Sequence, residues 1–397
     1  MRTRVLIIDA LRGFALAGVG LVHMREQYIA SMAPVNLMEV TNTLFDSILD
    51  GVISFFIIGK FFALFSLLFG LSFFIQMNSA AQRNQKFELR FLWRAILLFG
   101  IGFIHQLFYK GDILTIYALL VPFLIPFYRV SSKWILFTAG IFLISVPRFL
   151  VFLIHGNESF FGLPPMMGIE NQVNMDYITL LKTGSLTEIF RNNGTLGFLQ
   201  KMDFQLGIFA RFYLTFGYFL IGLWLGKIGL FTDLAKQVKQ IKKTLWKAVI
   251  GLVIAFGFTA LFFSQAPQPV DFKHWLHILG INAYTWSNIA LTALILCGFL
   301  LIFRNRQKGP FFNLLVPYGR MALTNYVLQS IIATGLLFGW GVGLLGQLQM
   351  RYLVIIAILL ILLQMIASKI WLRHFRYGPL EWLWRSGTYL QWQQFRK

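Results

Sequence analysis

Apolar runs of about 20 residues, separated by short polar segments, recur along the whole chain, and a helix of that length spans a hydrocarbon core of about 30 Å. The runs cover residues 5–24, 51–77, 91–108, 113–128, 134–155, 206–226, 245–263 and 286–303, one that starts near Pro317, and 351–370. They predict an all-α, polytopic membrane protein of about ten transmembrane helices, forming a single transmembrane domain over residues 1–397. Two stretches depart from the pattern. Residues 156–205 are the one long polar segment, expected to be an extracytoplasmic loop long enough to cover an opening. Residues 373–397 read as an interfacial C-terminal tail whose tryptophans suit the headgroup level.

The first run is apolar but carries Asp9, Arg12 and His23. Three positions apart on a helix, Asp9 and Arg12 are within reach of an ion pair, which offsets part of the roughly 2.5–3.5 kcal/mol insertion cost of an arginine at membrane depth. Eleven steps of about 100° return His23 to within about 20° of Arg12, some 16 Å further along the axis. One stripe of this helix is therefore polar and is expected to face other helices. In the second run Lys60 follows Gly59 near the middle. That pair marks a break, a re-entrant turn or a ligand contact, with snorkelling or pairing to a first-helix charge as the plainer account. His105 and Asp112 bound the short turn between the third and fourth runs, and Arg320, Asn325 and Gln329 lie at the start of the ninth. Asn325 and Gln329, four apart, share a helix face and serve as interhelical glue at least as readily as substrate contacts.

Composition fixes the class. With 57% hydrophobic and 13% charged residues, the chain is not an ordinary soluble protein. The 35 basic against 15 acidic residues, net charge +20, would point to nucleic acid in a soluble protein. Here the basic residues gather in alternate loops, most densely between Lys227 and Lys247, which places those loops and both termini in the cytoplasm and implies no nucleic-acid partner. Most acidic residues, among them Glu39, Glu170 and Asp271, fall in the opposite set of loops. The lysine run would also suit acidic headgroups or a nucleotide phosphate, although topology alone accounts for it. A single cysteine, Cys297, excludes an internal disulfide and a cysteine metal cluster. His274 and His277 lack a further ligand at metal spacing, so no metal is expected.

An arginine at mid-helix and a histidine near the outer end suit a transfer that begins on one side of the membrane and finishes on the other. Arg12 can fork two hydrogen bonds onto an anion such as a phosphate. A histidine, titrating near neutrality, can serve as general base on a hydroxyl or amine. Asp112 or Asp9 would orient and charge-balance these groups. The same stripe equally suits the gate and proton relay of a transporter or exporter of a small molecule, and interhelical pairing without chemistry is the third reading.

Asp9-Ala10-Leu11-Arg12-Gly13-Phe14-Ala15, the stretch Lys60 to Gly70, and His105 with Gly111-Asp112-Ile113-Leu114 form part of a wider pattern. With Gly319-Arg320-Met321-Ala322-Leu323-Thr324-Asn325-Tyr326 and Gly378-Pro379-Leu380-Glu381-Trp382-Leu383-Trp384-Arg385, the chain resembles the YeiB-like family of bacterial inner-membrane proteins, domain of unknown function 418. That family is distantly similar to the transmembrane acyltransferases, which move acyl groups from cytoplasmic acyl-CoA onto envelope or lumenal sugars. Their first-helix pattern is Arg, ten residues, His, which Arg12 and His23 fit. The resemblance implies donor handling by Arg12, joined by Lys60 and Arg320, and catalysis by His23. Family members often carry Asn at the place of His23, which makes His105, oriented by Asp112, the other candidate base. It implies acyl-CoA, in particular acetyl-CoA, as donor, and a hydroxyl or amine on an envelope glycan or small molecule as acceptor. The setting it implies is the bacterial inner membrane and its lipid bilayer; homo-oligomerisation is left open.

Overall fold

A computed structural model of the protein describes residues 2–30, 43–156, 158–163, 172–267, 270, 272, 274–306 and 309–397. Glu39, Glu170 and Asp271 lie outside the described residues. The structure is 79% helical, and the described residues contain no strand. In chain order, α1 (Arg2–Arg25) precedes α2 (Leu44–Phe56), α3 (Phe61–Ala81), α4 (Glu88–Phe108), α5 (Leu114–Leu124), α6 (Ser132–Leu143) and α7 (Val146–His155). Three short helices, α8 (Gln172–Thr183), α9 (Leu186–Gly194) and α10 (Leu196–Leu206), lead into α11 (Arg211–Lys227). The chain ends with α12 (Leu234–Gln265), α13 (Trp275–Arg306), α14 (Pro310–Arg320), α15 (Ala322–Leu337), α16 (Met350–His374) and α17 (Pro379–Tyr389).

Each apolar run is helical, but not each is a full-length helix. Six units are long and apolar enough to cross a membrane: α1 from Leu6, α2 with α3, α4, α12, α13 and α16. The number reaches 8 if two bent pairs count as one span each, α6 with α7 at 46° and α10 with α11 at 62°. The remaining two apolar runs form shorter helices, Leu114–Tyr128 and Ala322–Leu337. The segment expected as an extracytoplasmic loop is thus partly α8 to α10, and Asn193 fastens this cap to the end of α4. Its side chain donates to Leu107 O at 2.9 Å and accepts from Tyr177 OH at 3.0 Å, while Gln106 donates to its backbone carbonyl at 2.8 Å.

The breaks have local causes. Gly59, with φ of +83°, interrupts the second run between α2 and α3. Ser145 (φ +70°) and Ala210 (φ +54°) take the same left-handed conformation between α6 and α7 and between α10 and α11. Backbone groups freed at membrane depth need partners. The buried Arg148 supplies them, donating to Ile208 O and Phe209 O at 2.9 Å each and also to the side chains of Asn282 and Thr285.

Two helix crossings are made on glycine. Where α1 crosses α14, a Cβ on Gly319 would lie 1.8 Å from Asp9 O, and one on Gly13 2.4 Å from Leu315 O. The crossing of α3 and α11 repeats the device, with Gly70 against Phe219 O and Gly222 against Leu67 O. In lipid, where apolar side chains gain little by meeting each other, such backbone contact is a main source of helix association. Gly319→Ala is therefore expected to cost about 1–3 kcal/mol through overpacking, read as a lowered Tm of the detergent-purified protein. Gly251→Ala in α12, where nothing lies within 4 Å, should leave the Tm unchanged or slightly raised.

Candidate active site

The polar stripe of α1 opens onto two cavities. At its first end Arg12 donates through Nη1 to Asp9 Oδ1 at 2.9 Å and through Nη2 to Ser72 Oγ of α3 at 2.6 Å. Asp9 is buried, whereas Arg12 keeps 31% of its side chain exposed, facing a cavity of about 260 Å³. Arg94, Arg320 and Arg385 line the same space together with Glu381. Arg94 lies 3.6 Å over the Trp384 ring, which holds the guanidinium by its face and leaves its edge free.

Glu381 forms no ion pair with these arginines; its carboxylate caps α15 instead. Its carboxylate accepts the backbone N–H of Leu323 at 2.7 Å, that of Thr324 at 3.0 Å and the Thr324 hydroxyl at 2.6 Å. A carboxylate at a helix N-terminus satisfies orphan donors and complements the helix dipole. Burial pushes the Glu381 carboxyl above its ordinary range, against the opposing pull of these donors. The pocket is thus strongly basic, its one lining carboxylate being committed to α15.

At the His23 end lies a second cavity of about 320 Å³, lined by His23, Glu26, Tyr109, Lys110, Lys201 and Arg211 among others. Phe65, Tyr117 and Tyr326 line both cavities and form the wall between them. Tyr117 is fixed by a 2.7 Å hydrogen bond between its hydroxyl and Ser66 Oγ, and the Tyr326 hydroxyl accepts from Ile113 N at 3.3 Å.

The two histidines occupy different settings. The His23 ring lies among Tyr28, Tyr109 and Tyr326, with centroids 5.4, 4.9 and 6.1 Å away, and its enclosed Nδ1 has no hydrogen-bond partner among the described residues. His105 is fully buried with Nδ1 2.7 Å from Asp112 Oδ1, and the other Asp112 oxygen accepts the Thr115 N–H and hydroxyl at 2.9 Å each. Lys201, from α10, braces this turn by donating to Gln106 Oε1, to Thr115 Oγ1 at 2.7 Å and to Asp112 O at 3.4 Å. His105 Nε2 has no partner among the described residues, and its ring is 4.8 Å from that of Tyr326, the wall residue that thus packs against both imidazoles. Asp112 orients His105 and not His23.

The other sequence-selected residues separate. Arg320 joins Arg12 in the basic pocket and donates to Arg376 O at 3.4 Å. Lys60, expected beside Arg12, does not line that pocket; it is buried at the α2–α3 break, donates to Ser54 O at 3.2 Å and adds its charge next to Arg211. Asn325 bonds Ser368 Oγ at 2.9 Å and Tyr318 O at 3.1 Å, and Gln329 Oε1 is 3.5 Å from the Tyr318 hydroxyl, as interhelical glue would be. Among the described residues, no three His, Cys, Asp or Glu converge as a metal site.

Sequence reasoning missed Arg94, Arg385, Lys110 and Lys201 as cavity residues. In sequence each lies in a polar segment that borders an apolar run, where basic residues read as topology.

Apolar helices enclosing a basic pocket and a histidine pocket define an all-helical multi-pass membrane protein with one polar compartment at each end of the polar stripe of α1. Residues 225–391 match the family described as "Protein of unknown function (DUF418)", in agreement with the chain's resemblance to YeiB-like proteins. It is similar to "Uncharacterized protein YxaH" of Bacillus subtilis (strain 168), 29% identical over 99% of this chain and 96% of that protein. It is also similar to "Uncharacterized 39.9 kDa protein in amylase 3'region" of Bacillus acidopullulyticus, 28% identical over 97% and 94% of the two chains. With "Uncharacterized protein YeiB" of Escherichia coli (strain K12) it shares 47% identity over 70 residues, 18% of each chain. No solved structure matches it significantly.

Removing the α15 cap should be costly. Glu381→Ala leaves two backbone N–H groups without their acceptor and is expected to destabilise the protein by about 1–3 kcal/mol, with Glu381→Gln recovering part of the loss, as thermal melts of the two variants would show.

Proposed function

We propose that the protein transfers an acyl group, acetyl in the first instance, from cytoplasmic acyl-CoA to a hydroxyl or amine at the outer face of the bacterial cytoplasmic membrane. The observation that carries this reading is the pair of cavities meeting back to back on Phe65, Tyr117 and Tyr326. Arg12, Arg94, Arg320 and Arg385 suit the phosphates of the donor, because a guanidinium forks two charge-assisted hydrogen bonds onto oxygen pairs. The thioester reaches the wall, and the acceptor waits beside His23.

His23 is the base on this reading, since it lines the outer cavity while His105 is enclosed with Asp112. The acceptor oxygen or nitrogen forms a bond to the acyl carbon as the carbon–sulfur bond breaks, and its proton passes to the imidazole and from there to the departing thiolate. The His105–Asp112 pair acts as a positioning unit, holding Tyr326 against the donor side. A transporter would need a route through the wall for a whole solute, whereas transfer asks only that a small uncharged group pass it.

With the protein in nanodiscs, Arg12→Ala should weaken acetyl-CoA binding about tenfold or more, the scale of one charge-assisted contact. His23→Ala should leave that binding in place and lower transfer by about 10²–10⁴. Wild-type protein that neither binds acetyl-CoA nor acylates any cell-envelope component would end the proposal.

A further inference from the structure

Glu26 and Arg211 bring opposite charges to the His23 cavity, and among the described residues neither has a hydrogen-bond or ion-pair partner there. The obvious cation for Glu26 is its neighbour Arg25, but Asp50 already holds that guanidinium with two hydrogen bonds, at 2.7 and 3.1 Å. Among the described residues no donor reaches the Glu26 carboxylate. Arg211 has its guanidinium 4.2 Å over the ring of Phe62 and is given no acceptor among the described residues. The two are near enough to feel each other's charge, yet they form no ion pair. Lys60, unused by the chemistry above, adds a second positive charge beside Arg211, and Tyr109 borders Glu26. The remaining cations of the cavity are engaged: Lys110 bonds Gln200 Oε1 at 3.3 Å and lies 3.7 Å over the Tyr177 ring, and Lys201 braces the Asp112 turn.

Ionised groups in a low-dielectric enclosure are costly without a counter-charge. A simple cation would suit Glu26 but be repelled by Arg211 and Lys60, and a simple anion would suit Arg211 but be repelled by Glu26. Only a ligand bearing both signs compensates the two poles together. We propose that this cavity binds a zwitterion, with an ammonium group against Glu26 and Tyr109 and a phosphate or carboxylate against Arg211, beside His23. The acyl-transfer reading is needed only to call that zwitterion the acceptor or the part that anchors it. A cavity of about 320 Å³ accommodates a group of this size.

The test uses the full chain in nanodiscs without acyl-CoA, and O-phosphoethanolamine, ethanolamine and inorganic phosphate as probes, with binding read by calorimetry. O-phosphoethanolamine is expected to bind at least about tenfold more tightly than either half, a difference of about 1.4 kcal/mol. Glu26→Gln should reduce it to the affinity of phosphate, and Arg211→Gln to that of ethanolamine. Two lipid arms separate the sources of the ligand. If the occupant is a lipid headgroup, nanodiscs containing phosphatidylethanolamine abolish binding of the soluble probe, whereas a free zwitterion binds equally in those and in phosphatidylglycerol nanodiscs. Equal wild-type affinity for the three probes, or no binding of any in phosphatidylglycerol nanodiscs, overturns the proposal, and that comparison decides even if a variant fails to fold. Selective binding without acyl transfer would remove the proposed function and leave this site standing; transfer without selectivity would do the reverse.

Discussion

Two backbones touching at Gly13 and Gly319 hold the Arg12 side of this protein in register. A Cβ on Gly319 would fall 1.8 Å from Asp9 O, so nothing larger than hydrogen fits between α1 and α14 there. That contact fixes the turn of α1 that carries Asp9 and Arg12, and because Arg320 follows Gly319 directly, it also delivers a second guanidinium to the same pocket. Beyond Arg320 the chain enters α15, whose first N–H groups are taken by Glu381 from α17. Three segments far apart in sequence thus converge through one glycine contact and one carboxylate cap. The second glycine crossing, Gly70 and Gly222 between α3 and α11, secures the helix that supplies Ser72 to Arg12 and Phe65 to the wall.

Irregular backbone follows the cavities. In a bilayer, non-helical segments are tolerated only where they are enclosed by protein or line a polar space. The break at residues 57–60 meets that condition, since Ile57, Ile58 and Gly59 line the His23 cavity. The break before α11 meets it too, with Phe209 and Arg211 on the same wall and Arg148 taking up the carbonyls of Ile208 and Phe209. Each break turns a helix that would otherwise pass by into one that presents a charged residue at depth, Lys60 in one case and Arg211 in the other.

What could be read from sequence was local. Asp9 and Arg12 are three apart on a continuous helix, so their pairing follows from helix geometry alone, and the structure has it at 2.9 Å. The interruption at Gly59 and Lys60 was legible because glycine and a charge break an apolar run together. The breaks at Ser145 and Ala210 were not, since neither residue type favours a left-handed conformation and only tertiary packing imposes it. His105 and Asp112 sit across a short turn, so their proximity was legible, but not that Asp112 would serve His105 alone. Arg94, Arg385 and Lys201 carried no signal of their own, because a basic residue in a polar segment bordering an apolar run is already accounted for by topology. Only the packing of α4, α10 and α17 shows that these side chains face inward.

The distribution of charge also favours moving a group over moving a solute. The Arg12 pocket presents four guanidinium groups and one carboxylate that is engaged at a helix end, so on the proposed reading it suits a polyanion and offers it no favourable exit through an aromatic wall. A charged group carried past Phe65, Tyr117 and Tyr326 would lose its solvation, and the wall offers in return only two tyrosine hydroxyls already bonded to Ser66 and Ile113. A short acyl group carries no charge and makes dispersion contacts with the same rings. On the proposed reading, the wall therefore sorts the donor into the part that stays and the part that crosses, and His23, Glu26 and Arg211 are the groups that meet what arrives.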